Sequence, residues 1–223
     1  MTKRQQGFTL VEIAIVLVII GLLLGGILKG QEMITQAKIK NVIADFSGVS
    51  AAYHGYQDRY RAIPGDDPNA ATRWTVGPAV SGDGNGIVAG TYNSTSATDE
   101  SRLWWDHLRR AGFVSGSGTN QPFNAVTGQI GVQTGDGAAP GPTLLNVSGG
   151  NGFVGLIMCS ANLPDKIAIA VDTQMDDGVS NQGSVRGVIQ TAPNPNIGAG
   201  KLAEQPPGYA ETGTNVYTLC RAF

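Results

Sequence analysis

Residues 1–28 read MTKRQQGFTLVEIAIVLVIIGLLLGGIL. A short basic leader carrying Lys3 and Arg4 ends at Gly7, and an almost uninterrupted apolar run follows from Phe8 to Leu28. As a helix that run rises roughly 31 Å, enough to cross the hydrocarbon core of a bilayer. A single acid, Glu12, interrupts it. An ionised carboxylate within a membrane helix is costly and rare, so it marks function by default. Cutting the chain between Gly7 and Phe8 creates a cationic α-amine at Phe8, close to that acid. A cation and an anion sharing one apolar helix end form a device for pairing one subunit with another.

The residues Gly7-Phe8-Thr9-Leu10-Val11-Glu12 resemble the processing motif of type IV pilins and of the related type II secretion pseudopilins. The resemblance implies that a prepilin peptidase cuts after Gly7 and methylates Phe8, and that Phe8 and Glu12 act in assembly. It also implies an α+β fold, with a long N-terminal helix packed on a mainly antiparallel sheet and a C-terminal disulfide loop. The expected divisions are a leader over 1–7, a transmembrane and filament-core half-helix over 8–28, an amphipathic half over 29–61, and a head over 62–223. Within the head, 62–121 is expected to be an αβ-loop and 122–223 the sheet and disulfide region. A looser similarity to prepilin-like proteins lies in the segments IPGDDPNA, GDGNG and WWDHL.

Other readings of the N-terminus fit less well. A secretory signal has a shorter apolar core followed by a small-residue cleavage site. A plain membrane anchor accounts for the span and leaves Glu12 unexplained. A buried core helix does not need so long an apolar stretch.

Beyond Leu28 the pattern becomes amphipathic. Ile39, Val42, Ile43, Phe46, Val49, Tyr53, Tyr56 and Tyr60 recur at three- and four-residue intervals, which marks one helical face. No proline interrupts the chain from Phe8 to Ile63, and Pro64-Gly65 then stops the helix. Gly25, Gly26 and Gly30 are open to two readings: local melting during assembly, or close packing between membrane helices.

Residues 64–97 read as loop. A short helix follows over about Asp99 to Ala111, with Thr98 expected to cap it and Leu103, Trp104, Leu108 and Ala111 expected to face the core. Candidate strands are Phe123–Val132, Thr143–Val147, Phe153–Cys159, Ser184–Gln190 and Asn215–Cys220. Pro164–Asp177 fits either a strand or a helix. The alignment of Ile167, Val171 and Met175, with Pro164 before and Gly178 after, favours helix.

The chain of 223 residues has a formal net charge of −2, which becomes −4 once Lys3 and Arg4 leave with the leader. That balance lacks the basic footprint of a nucleic-acid binder. Two cysteines, Cys159 and Cys220, allow one bridge, and an oxidising compartment beyond the inner membrane favours it over buried thiols. Many pilins, by the same resemblance, staple their C-terminal region in this way.

No catalytic centre is expected. The two histidines, His54 and His107, sit in no recognisable catalytic motif, there is no P-loop, and the Cys/His spacing suits no zinc site. No cofactor is expected either, with calcium as the alternative, since the resemblance implies that some pseudopilins carry a calcium ion in the head. Asp83 and Asn85 begin like a calcium loop, but Ile87 stands where a third side-chain oxygen belongs, and the twelfth position is Ser94 rather than Glu. Asp172, Asp176, Asp177 and Asn181 make a second oxygen-rich patch. Turn and capping chemistry is the preferred reading of both.

The resemblance therefore implies a non-enzymatic structural subunit of a type IV pilus-like filament. Its partners are copies of itself, prepilin peptidase, the inner-membrane assembly platform and other pilins or pseudopilins. It is held in a bacterial inner membrane with its head in the periplasm before assembly, and then in a surface pilus or a periplasmic pseudopilus. A type II secretion pseudopilin is the alternative, and a minor-pilin adhesin or DNA-uptake subunit is the second alternative.

Overall fold

The computed structural model describes residues 9–135, 152–197 and 208–223. Gly7 and Phe8, and the expected strand Thr143–Val147, lie outside the described residues. The elements run α1 (Leu10–Tyr60), α2 (Ala70–Arg73), α3 (Glu100–Arg110), β1 (Ile130–Thr134), β2 (Leu156–Pro164), α4 (Asp165–Met175), β3 (Val185–Ile189) and β4 (Val216–Ala222). This is an α+β pilin-like fold: a long N-terminal apolar helix, a four-stranded antiparallel sheet and a C-terminal disulfide. The chain divides into two units, Met1–Lys38 and Ile39–Phe223.

Residues of α1 in the first unit expose their apolar side chains, Leu17 at 64% and Leu22 at 73% among them. This stretch is long and apolar enough to cross a membrane. In the second unit the same helix buries Ile39, Val42, Phe46, Val49, Ala52 and Tyr56. Their spacing is the stripe read from the sequence, with Ile43, Tyr53 and Tyr60 packed at its edges. The change of surface falls at Ile39, the first buried residue.

The sheet order is β1-β2-β4-β3, with every pair antiparallel. Strand alternation sends neighbouring residues to opposite faces. Met158, Leu219 and Val185 join the core made with α1, and Ile157, Cys159 and Cys220 join a second cluster with Tyr92, Phe153 and Ile197. Both faces are thus buried. Both edges are covered too. On β1 the Thr134 N–H donates to the Val88 carbonyl, and on β3 the Gly187 N–H donates to that of Ser180. Gly131 makes the first cover possible, since a Cβ there would lie 2.0 Å from the Tyr92 carbonyl oxygen.

Several expectations meet different outcomes. Within Pro164–Asp177 the helix forms over Asp165–Met175: α4 buries Ile167, Ala168 and Val171, one face at helical spacing, while Pro164 ends β2. Of Phe123–Val132 only the last residues enter β1. Asn124 instead turns the chain, its side-chain oxygen accepting the N–H groups of Val126 and Gly128, and Phe123 keeps a lone bridge to Gln129. Thr98 does not cap α3. Asp99 holds the N-cap position, and its carboxylate accepts the Ser94 hydroxyl rather than a helix amide. Trp105 is buried alongside Trp104.

Cys159 and Cys220 face each other in the β2–β4 register and are joined by a disulfide. Both are wholly buried, and the bridge spans 61 positions of sequence. In the chain-entropy model a loop of that length contributes about 4 kcal/mol by restricting the unfolded chain. We expect Cys220→Ser to lower the urea midpoint of head unfolding accordingly in the full-length protein in detergent, with membrane insertion unchanged. An unaltered midpoint would contradict the stapling role.

Candidate functional site

The N-terminal end of α1 is organised by Thr9 and Glu12. The Glu12 Oε2 accepts the Thr9 N–H at 2.7 Å and the Thr9 hydroxyl at 2.7 Å, and the Glu12 N–H donates to Thr9 Oγ1 at 3.3 Å. This is a reciprocal capping box of the Thr-x-x-Glu type, satisfying donors that a helix start leaves without partners. Glu12 therefore has a local structural job in the single chain. Thr9 is the partner that reading Glu12 alone passed over, although the Thr-x-x-Glu spacing was present in the sequence.

The segments Ile63–Ala70, Gly82–Gly86 and Trp104–Leu108 converge in the head. Asp66 is buried and accepts the N–H groups of Gly84 and Asn85 at Oδ1 and of Gly86 at Oδ2. Glu100 accepts the N–H of Asp83 at Oε1 and of Ala89 at Oε2. Asp67 accepts the Tyr56 hydroxyl at 2.6 Å and the guanidinium of Arg73, which also lies 4.1 Å over the Tyr60 ring. Burial pushes the Asp67 carboxyl up, but the Tyr56 hydroxyl, Arg73 and the Asn69 N–H outweigh it and hold it below its usual value. Gly65 permits the approach: at φ +85° a Cβ there would stand 2.4 Å from the Glu100 carbonyl oxygen.

His107 locks the same region. It is fully buried, its Nδ1 accepts the Gly65 N–H at 2.9 Å, and its Nε2 lies 2.8 Å from the Val80 carbonyl oxygen. The Gly65 donor fixes the proton on Nε2, which donates to Val80. Burial lowers the pKa of His107, against the opposing pull of the Val80 carbonyl and of the charges on Asp67 and Asp106. Both nitrogens hold backbone, leaving neither for a reacting group. His54 is exposed on α1.

Each acidic patch brings three carboxylates together. Oxygens of Asp66, Asp83 and Glu100 lie within 4.8 Å of one another, as do those of Asp172, Asp176 and Asp177. In the first patch Asp83 and Asn85 serve turn chemistry: Asp83 Oδ1 accepts the Asn85 N–H, and Asn85 Oδ1 accepts that of Ile87. In the second, burial raises the Asp172 pKa to about 6, although the Tyr209 hydroxyl favours its ionised form.

With this geometry in view, residues 2–28 match the family described as the prokaryotic N-terminal methylation motif. That motif is the hallmark of prepilin-type proteins, the type IV pilins and pseudopilins. The chain thus carries the N-terminus of a prepilin peptidase substrate, with an apolar helix that fits inner-membrane anchoring before assembly. No curated protein matches the chain.

The His107 geometry fixes a pH response. Its folded pKa lies below the unfolded value of about 6.5, so near pH 6 the unfolded chain binds more protons. The stability it contributes is full above about pH 6.5 and is lost as the pH falls. We expect head stability, measured by urea unfolding between pH 7.5 and 5, to fall more steeply in the wild type than in His107→Gln. Parallel profiles would show that folding leaves the pKa of His107 unchanged. His107→Ala should cost about 1–3 kcal/mol at pH 7.5, because the buried Gly65 N–H is left without a partner.

Proposed function

We propose that the protein is a structural subunit of a type IV pilus-like filament, cut after Gly7, methylated at Phe8, and polymerised from the inner membrane. The motif at residues 2–28 carries this reading. Supporting it is the exposed apolar surface of α1 up to residue 38, which needs lipid or neighbouring helices to cover it. In this reading residues 1–7 are the leader, 8–28 the membrane and filament-core part, 29–61 the amphipathic part of the helix, and 62–223 the rest of the head. The partners are further copies of the chain, other pilins, the peptidase and the assembly platform. A pseudopilin of a type II secretion system shares the same motif and is the second reading.

Glu12 is assigned to assembly. The Phe8 amine of one subunit would meet the Glu12 carboxylate of its neighbour within a filament core of low dielectric. The capping box supplies a rival account, in which Glu12 acts only on its own helix start. Glutamine separates the two, because its carbonyl oxygen still accepts the Thr9 N–H but carries no charge.

Intact-mass analysis of the protein from its native membrane is expected to show loss of residues 1–7 and one added methyl group. A mature chain beginning elsewhere would remove the main support for this reading. Glu12→Val and Glu12→Gln should both insert normally, as shown by membrane fractionation. Both should lower sheared-filament recovery by at least about tenfold, because a buried cation loses its partner. Normal filaments from Glu12→Gln, with loss in Glu12→Val, would assign Glu12 to capping alone.

A further inference from the structure

The loop Gly82–Gly86 carries one of the two places in the sequence where asparagine precedes glycine, Asn85–Gly86; the other is Asn151–Gly152, of which Asn151 lies outside the described residues. Such a pair is chemically labile. The backbone nitrogen of the glycine attacks the asparagine side-chain carbon Cγ. The N–Cγ bond forms, the Cγ–Nδ2 bond breaks, and ammonia leaves with the proton of the glycine N–H. Water then opens the cyclic imide to aspartate or isoaspartate. Glycine leaves this path open, because it has no side chain to hinder the ring and its backbone turns freely. Asn85 and Gly86 are both exposed, so water reaches them.

The folded head nevertheless holds each reacting group. The Gly86 N–H donates to Asp66 Oδ2 at 2.8 Å. The Asn85 Nδ2 donates to Asp83 Oδ2 at 2.8 Å, and Asn85 Oδ1 accepts the Ile87 N–H at 2.8 Å. The Asn85 N–H is shared between Asp66 Oδ1 and Asp83 Oδ1. Ring closure brings the Gly86 nitrogen onto Cγ, through a near-attack separation of about 3–3.5 Å. That motion breaks the bond to Asp66 and both side-chain bonds of Asn85. Asp66 is the fixed point. It is buried and also accepts the Gly84 N–H at 2.6 Å, so its carboxylate does not follow the loop.

We propose that Asn85–Gly86 is a deamidation site that the folded head holds shut through Asp66 and Asp83 and that opening of the loop exposes. The product does not fit where the asparagine fitted. Aspartate at position 85 has no side-chain N–H to give Asp83. It also brings a further negative charge beside Asp66, Asp83 and Glu100, whose oxygens already lie within 4.8 Å of one another. Conversion is therefore one-way for the head: a chain that stays open long enough to lose ammonia returns to a less stable fold. Local opening of the loop, rather than unfolding of the whole head, sets the rate.

The test uses the full-length protein in detergent at mildly alkaline pH, sampled over days with and without urea, with deamidation read residue by residue from peptide masses. In urea Asn85 and Asn151 are both expected to convert. In the fold Asn85 should convert at least about a hundredfold more slowly than in urea, because three hydrogen bonds must open together. Asp66→Asn keeps an oxygen for the Gly84 and Asn85 amides but turns its amino group toward the Gly86 N–H. It should speed conversion in the fold at least about tenfold. Asp83→Ala changes an exposed position, frees the Asn85 side-chain amide, and should speed conversion at least about threefold. Cys220→Ser weakens the head elsewhere and should leave the rate within about twofold of wild type. Asn85→Asp should unfold at a lower urea concentration than wild type. If Asp66→Asn does not fold, Asp83→Ala decides alone. The proposal is overturned by no conversion of Asn85 in urea, equal rates in fold and urea, or an unchanged rate in whichever of Asp66→Asn and Asp83→Ala folds. An equal rise in Cys220→Ser or an unaltered midpoint in Asn85→Asp overturns it too.

Discussion

One backbone, the helix Leu10–Tyr60, has to satisfy two environments. Up to Lys38 its apolar side chains face outward, and from Ile39 only a stripe is apolar and that stripe is buried. The helix can run through the change because its hydrogen bonds are internal and independent of what surrounds it. The side chains alone carry the difference. The rest of the head is built against that stripe: β1, β2, β3 and β4 supply Val132, Met158, Val185 and Leu219 to the core containing Phe46 and Tyr56.

The head uses few charges, and it uses its carboxylates to hold irregular backbone. Asp66 and Glu100 gather the amides of the loop from Asp83 to Ala89. Asp165 takes the N–H groups of Thr212 and Gly213, and Asp176 those of Ser184 and Val185. Loops rich in glycine leave many backbone donors without a ladder, and each buried donor needs an acceptor. A carboxylate serves several at once. Acidic clusters near glycine-rich turns are therefore explained first as backbone anchors.

Glu12 has one role in the single chain and a second, proposed one between subunits. In the single chain its carboxylate closes a capping box with Thr9. Its proposed role between subunits uses the charge of the same group. The two are compatible, since a carboxylate has lone pairs beyond those that Thr9 engages.

The sequence alone determined whatever depends on local pattern. The apolar run, the stripe from Ile39 to Tyr60, the stop after Tyr60 and the helical spacing of Ile167 and Val171 follow from side-chain periodicity and turn residues. Cys159 and Cys220 had only each other to pair with. Tertiary structure decided what depends on partners distant in sequence. Nothing near His107 reveals that it grips Gly65 and Val80, 42 and 27 positions away. The strand expected from Phe123 is cut short where the Asn124 amide, turning the chain, donates to the Ser160 hydroxyl and the Ala161 carbonyl of β2. The distinction between the two acidic patches arose in the same way. Both are runs of oxygens in the sequence, and only folding settles which carboxylates meet which backbone amides.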